Sequence, residues 1–180
     1  YGLSVADIST GEYLVTELDG EKKLLDEINK FSPSEIICNH SFYVSGVDIE
    51  DMKERLHISV FSLDSWYFDD DGAKRILKDH FKVSSLDGLG LTDYPTGIIA
   101  SGALMNYLYE TQKNSLPHIT RITPYSTGRY MIIDSFTRRN LELVETMREK
   151  NKKGSLLWVL DKTKTAMGAR LLRNIIEQPL

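Results

Sequence analysis

One cysteine, Cys38, is present in 180 residues, so the chain can form neither an internal disulfide nor a cysteine-built zinc site. The four histidines, His40, His57, His80 and His118, lie scattered without the spacing of metal ligands. No apolar run approaches the roughly 18 residues that a membrane span needs, and no signal-peptide pattern is present. The expected compartment is the cytoplasm. No G-x-x-x-x-G-K-[ST] occurs, which excludes a phosphate-cradling P-loop. The nearest glycine cluster, Gly88-Leu89-Gly90, has no third glycine or lysine after it and reads as a loop. No Ser/His/Asp or Cys/His pairing can be picked out. The chain is therefore expected to have no catalytic site, bound cofactor or metal of its own.

Hydrophobic content of 41% is ordinary for a chain with a real core, and the length suits one full domain and part of a second. The net charge of −4 hides a split. Residues 1–113 carry 20 acidic and 10 basic side chains, whereas residues 114–180 carry 6 and 12. Such asymmetry between halves predicts two domains with different neighbours. The strand-like alternation starts at Tyr1, and the chain stops directly after the apolar run around Ile175-Ile176. Natural termini usually carry a few loose polar residues, so both ends are expected to be cuts within a longer protein.

The acidic half reads as strands alternating with helices. Leu3–Ile8 and Glu12–Leu18 are β-rich runs around Ser9-Thr10-Gly11, which predicts a hairpin. Glu21–Phe31 carries Leu24, Leu25, Ile28 and Phe31 at helical spacing. Ser32-Pro33-Ser34 breaks the chain before a short buried strand, Glu35–Cys38. A brief helix over Ile49–Leu56 and a strand over His57–Leu63 follow. Asp69-Asp70-Asp71 opens a helix to about Phe81, with its acids at the positive end of the dipole. Pro95 sits near the first turn of the next helix, which runs to about Lys113. That helix is apolar nearly all round and must be covered on most sides.

Asn114-Ser115-Leu116-Pro117 reads as the start of a linker. Ile119–Thr123 and Tyr130–Ile133 look extended, with a turn at Ser126-Thr127-Gly128. Asp134 or Ser135 can cap a helix through about Glu149. Helices over Leu156–Leu160 and Thr165–Ile176 complete the basic half.

Candidate sites are few. Asp7 ends the first strand, the place where ribonuclease H-like nucleases hold a metal-binding carboxylate. Such chemistry needs several carboxylates converging on divalent ions. Glu35, Asp48, Asp64 and Asp69 to Asp71 are available, but no spacing selects a set. The plainer reading has Asp7 accepting hydrogen bonds from the turn that follows it. On the helix to Phe81, Lys74, Lys78 and Lys82 recur every four residues with Arg75 beside them, either as a solvated face or as a docking patch. Trp66-Tyr67-Phe68 reads as core, as does Trp158. Arg138-Arg139 near a helix start predict acidic neighbours that hold them. In the last helix Gly168, Leu171, Leu172, Ile175 and Ile176 form an apolar stripe, with Arg170, Arg173, Asn174 and Glu177 opposite. Gly168 lacks a side chain, so another helix can approach there. An exposed stripe of this kind predicts a dimer or a frayed tail.

Several stretches together resemble the MutS family of DNA mismatch-recognition proteins. Asp7-Ile8-Ser9-Thr10-Gly11-Glu12 is similar to the opening hairpin of the family's connector domain. Thr111-Gln112-Lys113 with Leu116-Pro117-His118-Ile119 resembles the junction to the core. Thr137-Arg138-Arg139-Asn140-Leu141-Glu142-Leu143 resembles the first core helix. Leu160-Asp161, then Thr165-Ala166-Met167-Gly168-Ala169-Arg170-Leu171-Leu172 closing on Gln178-Pro179-Leu180, resembles the most recognisable core stretch. The resemblance implies an α/β, ribonuclease H-like connector domain over 1–113 and a linker over 114–125. The mainly α-helical start of the core, or lever, domain then spans 126–180. It implies mismatched-DNA binding, and ATP hydrolysis with magnesium, in parts of the parent protein outside this sequence. It also implies a MutL-type partner, for which Lys74, Arg75 and Lys78 are the expected contact. Gly168, Leu171, Leu172 and Ile175 would pack against further core helices. The alternative is a divergent metal-dependent nuclease using Asp7.

Overall fold

The computed structural model describes residues 1–55, 57–112, 116–127, 133 and 135–177. The chain divides into two compact units, Tyr1–Leu25 with Ser32–Ser126, and Asp26–Phe31 with Thr127–Leu180.

In the first unit, strands β1 (Gly2–Asp7) and β2 (Glu12–Glu17) pair antiparallel with Asp7 opposite Glu12. The turn between them is built by Asp7, whose Oδ1 accepts from Ser9 N at 2.8 Å and Ser9 Oγ at 2.6 Å. Gly11 then takes a φ of +77°, and a Cβ there would lie 2.2 Å from the His118 carbonyl oxygen. Only glycine meets both demands without strain. Helix α1 (Glu21–Phe31) has the expected bounds, with residues 21–25 in this unit and Asp26–Phe31 in the second. Strands β3 (Glu35–Cys38) and β4 (Ser59–Ser62) pair parallel, with α2 (His40–Tyr43) and α3 (Ile49–Arg55) in the crossover. A crossover connection of this kind is what parallel strands require. A 3-10 turn (Ser65–Phe68), α4 (Asp70–Phe81) and a second 3-10 turn (Leu86–Leu89) lead to α5 (Pro95–Gln112).

Helix α5 is covered on most sides, as its composition requires, by β1, β2 and α4. Its tightest approach is at Gly102, where a Cβ would come within 2.3 Å of the Ala73 Cβ. The Tyr13 hydroxyl, fully buried, donates to the Ser101 carbonyl at 2.7 Å. Pro95 begins the helix, as its fixed φ favours. The orphan amides of the first turn find their acceptor on another element: Glu17 Oε1 takes Thr96 N, Thr96 Oγ1 and Gly97 N at 2.5, 2.6 and 2.9 Å. Burial acts to raise the pKa of this carboxyl, but the bonds from Thr96 and Gly97 outweigh it and hold the value below the ordinary one. A depressed carboxylate contributes stability above its unfolded pKa and loses it as pH falls through the folded one. Glu17→Gln keeps the acceptor and removes the charge, so it is expected to cost about 0.3–1 kcal/mol near neutrality, the range for a carboxylate at a helix N-terminus. The variant should converge on the native chain in melts below the ordinary glutamate range.

The stretch 116–125 is part of the first unit's core. Leu116, Ile119 and Ile122 are buried beside Tyr13, Leu77, Leu91 and Met105. Of the extended run expected over Ile119–Thr123, only Thr123 joins a strand, β5 (Thr123–Pro124), which pairs parallel with β2. The difference has a local cause. Leu116 takes a φ of +48° and its carbonyl accepts the Ile119 amide at 3.1 Å, so the chain turns instead of running straight. Tyr130 to Ile132, the turn residue Gly128 and the cap residue Asp134 lie outside the described residues.

The second unit contains α6 (Ser135–Asn140), α7 (Leu156–Leu160) and α8 (Ala166–Glu177). The helix expected through Glu149 stops at Asn140. Glu142 adopts a φ of +48° and its side chain accepts the Met147 amide at 2.7 Å. The carbonyls of Glu142 and Leu143 take the amides of Leu156 and Leu157 at 3.0 and 2.8 Å, so α7 claims acceptors that a longer helix would use itself. The shorter helix puts Arg138 and Arg139 in its last turn, where cations suit the dipole, and not near its start as expected. Arg138 Nη2 donates to the Glu177 carbonyl at 3.2 Å.

Candidate docking surface

Two patches carry the residues expected to meet partners, and each belongs to one unit. The first surrounds α4. Asp69 caps this helix, its Oδ2 accepting the Gly72 amide at 2.8 Å. Ala73 and Leu77 face inward against α5. At about 100° per residue, Lys74 and Lys78 fall about 80° and 120° from the middle of that buried line and Arg75 directly opposite it, about 60° from Lys78. The three expected contact residues share the outward arc of the helix, and Arg75 is the one among them that lines a cleft. Lys74 Nζ pairs with Asp70 Oδ2 at 2.5 Å, and this bond raises its pKa. Lys78 lies near Asp87, whose pKa is lowered first by Ser85 and Thr92 and then by the lysine charge.

Arg75 alone lines an open cleft of about 710 Å³, together with Trp66, Phe68, Ile76, Asp79 and Asn106. Trp66 forms its most exposed apolar wall, at 56% accessible, and stacks on buried Tyr67 with ring centroids 3.8 Å apart. Tyr67 donates its hydroxyl to Glu110, a bond that, with burial, pushes the phenol up to about 12. Tyr107 does the same with Glu35 and reaches about 12 for the same reasons. The cleft is therefore a mixed surface of two aromatic rings (Trp66 and Phe68), one guanidinium and two carboxylates (Asp69 and Asp79), not a basic patch. The aromatic run Trp66-Tyr67-Phe68 splits: Tyr67 is core as expected, whereas Trp66 faces solvent. The tight turn at Ser65–Phe68 decides this, and nothing in the spacing of three consecutive aromatics announces it.

The second patch is on α8. Leu171 and Ile175 are 62% and 59% exposed, in line with Met167 at 67%, which the sequence reading had left out of the stripe. Gly168, Leu172 and Ile176 are half-buried and fall to one side of that line. A Cβ on Gly168 would lie 3.1 Å from Thr165 Oγ1 and 3.4 Å from Thr163 Cβ. Glu177, expected on the polar face, is 6% exposed, with Arg173 Nε 3.4 Å from its Oε1. Burial raises its pKa against the opposing charges of Arg173 and Arg138. Trp158, Val159 and Leu160 on α7 are also exposed.

Asp7, the candidate metal ligand, spends its Oδ1 on the Ser9 amide and hydroxyl. Among the described residues no group of three or more His, Cys, Asp or Glu side chains is placed to hold a metal ion. None of the described helices is long and apolar enough to cross a membrane.

Comparison with known proteins bears on the whole chain. The family model for MutS domain II matches residues 1–120, and that for MutS domain III matches residues 136–180. The chain belongs to the MutS family. Proteins named DNA mismatch repair protein MutS are similar throughout. That of Lachnoclostridium phytofermentans is 62% identical over 99% of this chain and 19% of its own length. That of Alkaliphilus oremlandii is 46% identical over 99% and 21%, and that of Protochlamydia amoebophila 39% over 100% and 21%. The chain thus spans about a fifth of the length of these curated relatives. The two family domains, connector and core, account for the mixed helix-and-sheet first unit and the helical second.

Proposed function

We propose that the chain is the connector and the first part of the core of a mismatch-recognition ATPase, and that its own work is to join domains and receive a MutL-type partner. Residues 1–113 form a ribonuclease H-like connector and 126–180 the start of the lever, and the stretch 114–125 that links them packs Leu116, Ile119 and Ile122 into the connector's core. An antiparallel hairpin followed by a parallel strand pair with helices between supports that fold reading. Mismatched DNA, ATP and magnesium are handled by other parts of the family protein, in the cytoplasm. The observation that carries the docking role is the cleft beside α4, where an exposed tryptophan stands next to Arg75 in a domain of this family. Tryptophan and arginine are the side chains most often dominant in protein interfaces.

The test is capture of a purified MutL-type protein by this chain. Arg75→Glu with Trp66→Ala is expected to weaken capture by a factor on the order of ten or more, as loss of a dominant contact does. Lys74→Glu with Lys78→Glu, at a rim and partly neutralised, should chiefly change association rate and salt dependence. Undiminished capture by all four substitutions together, with the native melting curve, removes this face as the docking site. A nuclease role for Asp7 has a separate test. Incubation with magnesium or manganese and single- or double-stranded nucleic acid is expected to give no cutting; cutting abolished by Asp7→Asn would replace the connector reading.

A further inference from the structure

The last turns of α5 carry side chains that reach out to different elements of the first unit. Glu110 accepts the hydroxyl of Tyr67, the ring on which Trp66 stacks. Its neighbour in sequence, Tyr109, places its hydroxyl 2.6 Å from His80 Nδ1 on α4. The other ring nitrogen, Nε2, lies 2.7 Å from the carbonyl oxygen of Ile119. A carbonyl only accepts, so Nε2 carries a proton, and in that tautomer Nδ1 accepts from Tyr109. One path of hydrogen bonds, with a single peptide unit of α5 between Glu110 and Tyr109, therefore begins beneath the exposed wall of the cleft and ends on the backbone of the segment 116–125. That segment is itself held by the Ile119 amide on Leu116 O at 3.1 Å and the Tyr125 amide on Val15 O at 2.9 Å.

We infer that this path is a relay that makes the cleft wall and the segment 116–125 open and close as one cooperative unit. Going beyond docking, it describes how the fold answers a disturbance at the cleft. The His80 ring is stiff, both its nitrogens are engaged, and it stands edge-on to Phe81 at 4.7 Å and Tyr109 at 5.7 Å. Such a ring cannot follow a shift of α5 at one nitrogen without lengthening the bond at the other. Glu110 and Tyr109 share a helical backbone, so release of Tyr67 reaches Tyr109 through the last turn. Polar networks with two discrete arrangements are one physical carrier of coupling between separated places.

Native-state amide hydrogen exchange on the whole chain tests it. Tyr67→Phe keeps the ring and its stack under Trp66 and removes only the hydroxyl bonded to Glu110. Exchange at the Ile119 and Tyr125 amides should quicken by roughly two- to thirtyfold, the span of known coupling effects. Tyr109→Phe, nearer along the path, should quicken the same amides, and the double variant should add little to it. Tyr107→Phe deletes an equivalent tyrosine–carboxylate bond that is off the path and should leave both amides unchanged. The inference is overturned if Tyr67→Phe leaves those amides at the native rate, or if Tyr107→Phe quickens them equally. Either result can be read whether or not the cleft binds a partner, so it stands apart from the docking test.

Discussion

Gly102→Val is expected to unfold the first unit well below the native melting temperature, at a cost of more than about 3 kcal/mol, the upper end for overpacking a core. The reason lies in the contact between α4 and α5. A Cβ on residue 102 would be 2.3 Å from the Ala73 Cβ and 2.4 Å from the Ala73 Cα. Neither atom can rotate away, because one is backbone and the other is fixed to it. The helices would have to separate, and Ile98, Met105 and Leu77 would lose their packing together. Gly102→Ala gains about 1 kcal/mol of helix propensity yet meets the same two atoms, so it should still be net destabilising. Gly88, whose Cβ would meet nothing within 4 Å, supplies the control. Gly88→Ala should stay within about 0.5 kcal/mol of the native chain, as open surface positions do. Denaturant melts followed by tyrosine and tryptophan fluorescence separate these outcomes. A Gly102→Val protein as stable as the Gly88 control would mean that the helices are not in contact there.

The second large effect concerns association. At micromolar concentration the chain is expected to sediment as a reversible dimer, paired through the exposed line of Met167, Leu171 and Ile175. Burying each such side chain is worth roughly 1.5–3 kcal/mol, enough in sum to offset the cost of joining two copies. Leu171→Glu with Ile175→Glu should return a monomer with the first unit's melt unchanged, since both are among the most exposed large apolar side chains of the described residues. A monodisperse monomer from the native sequence, with α8 protected from proteolysis, would refute the pairing.

The elements were legible from sequence wherever local signals were strong. The hairpin follows from Ser9-Thr10-Gly11, α1 from four apolar residues at helical spacing, and α5 from a proline at one end and an apolar run behind it. What could not be read depended on partners distant in sequence. Glu142 leaves the helical region because α7, more than ten residues on, takes its carbonyl. Glu177 looked like a surface acid because nothing in α8 reveals Arg138 at its end. The helical spacing of Lys74, Arg75 and Lys78 was visible. That Arg75 of the three lines the cleft depends on Trp66, Phe68 and Asn106 from other elements, which no spacing within α4 reveals. Trp66 was hidden by its neighbours, since three adjacent aromatics carry no mark of which will face water. Family membership was readable because it rests on motifs, and motifs survive in sequence where a surface does not.

The pairing of β2 with β5 also sets an order of events during synthesis. The hairpin β1–β2 can form once residue 17 has emerged from the ribosome, because its contacts are local. Its other edge waits for Thr123 and Pro124, more than a hundred residues later. The same delay applies to the Tyr13 hydroxyl, which needs Ser101, and to Gly11, which needs His118. Non-local contacts of this span slow folding because a long loop must close before they contribute. On the ribosome, at about 5–20 residues per second, a nascent hairpin would wait on the order of ten seconds for its third strand. Throughout that interval the inner face of β2, with Tyr13 and Val15, has no core to enter, and it is then that a chaperone would find the chain most exposed.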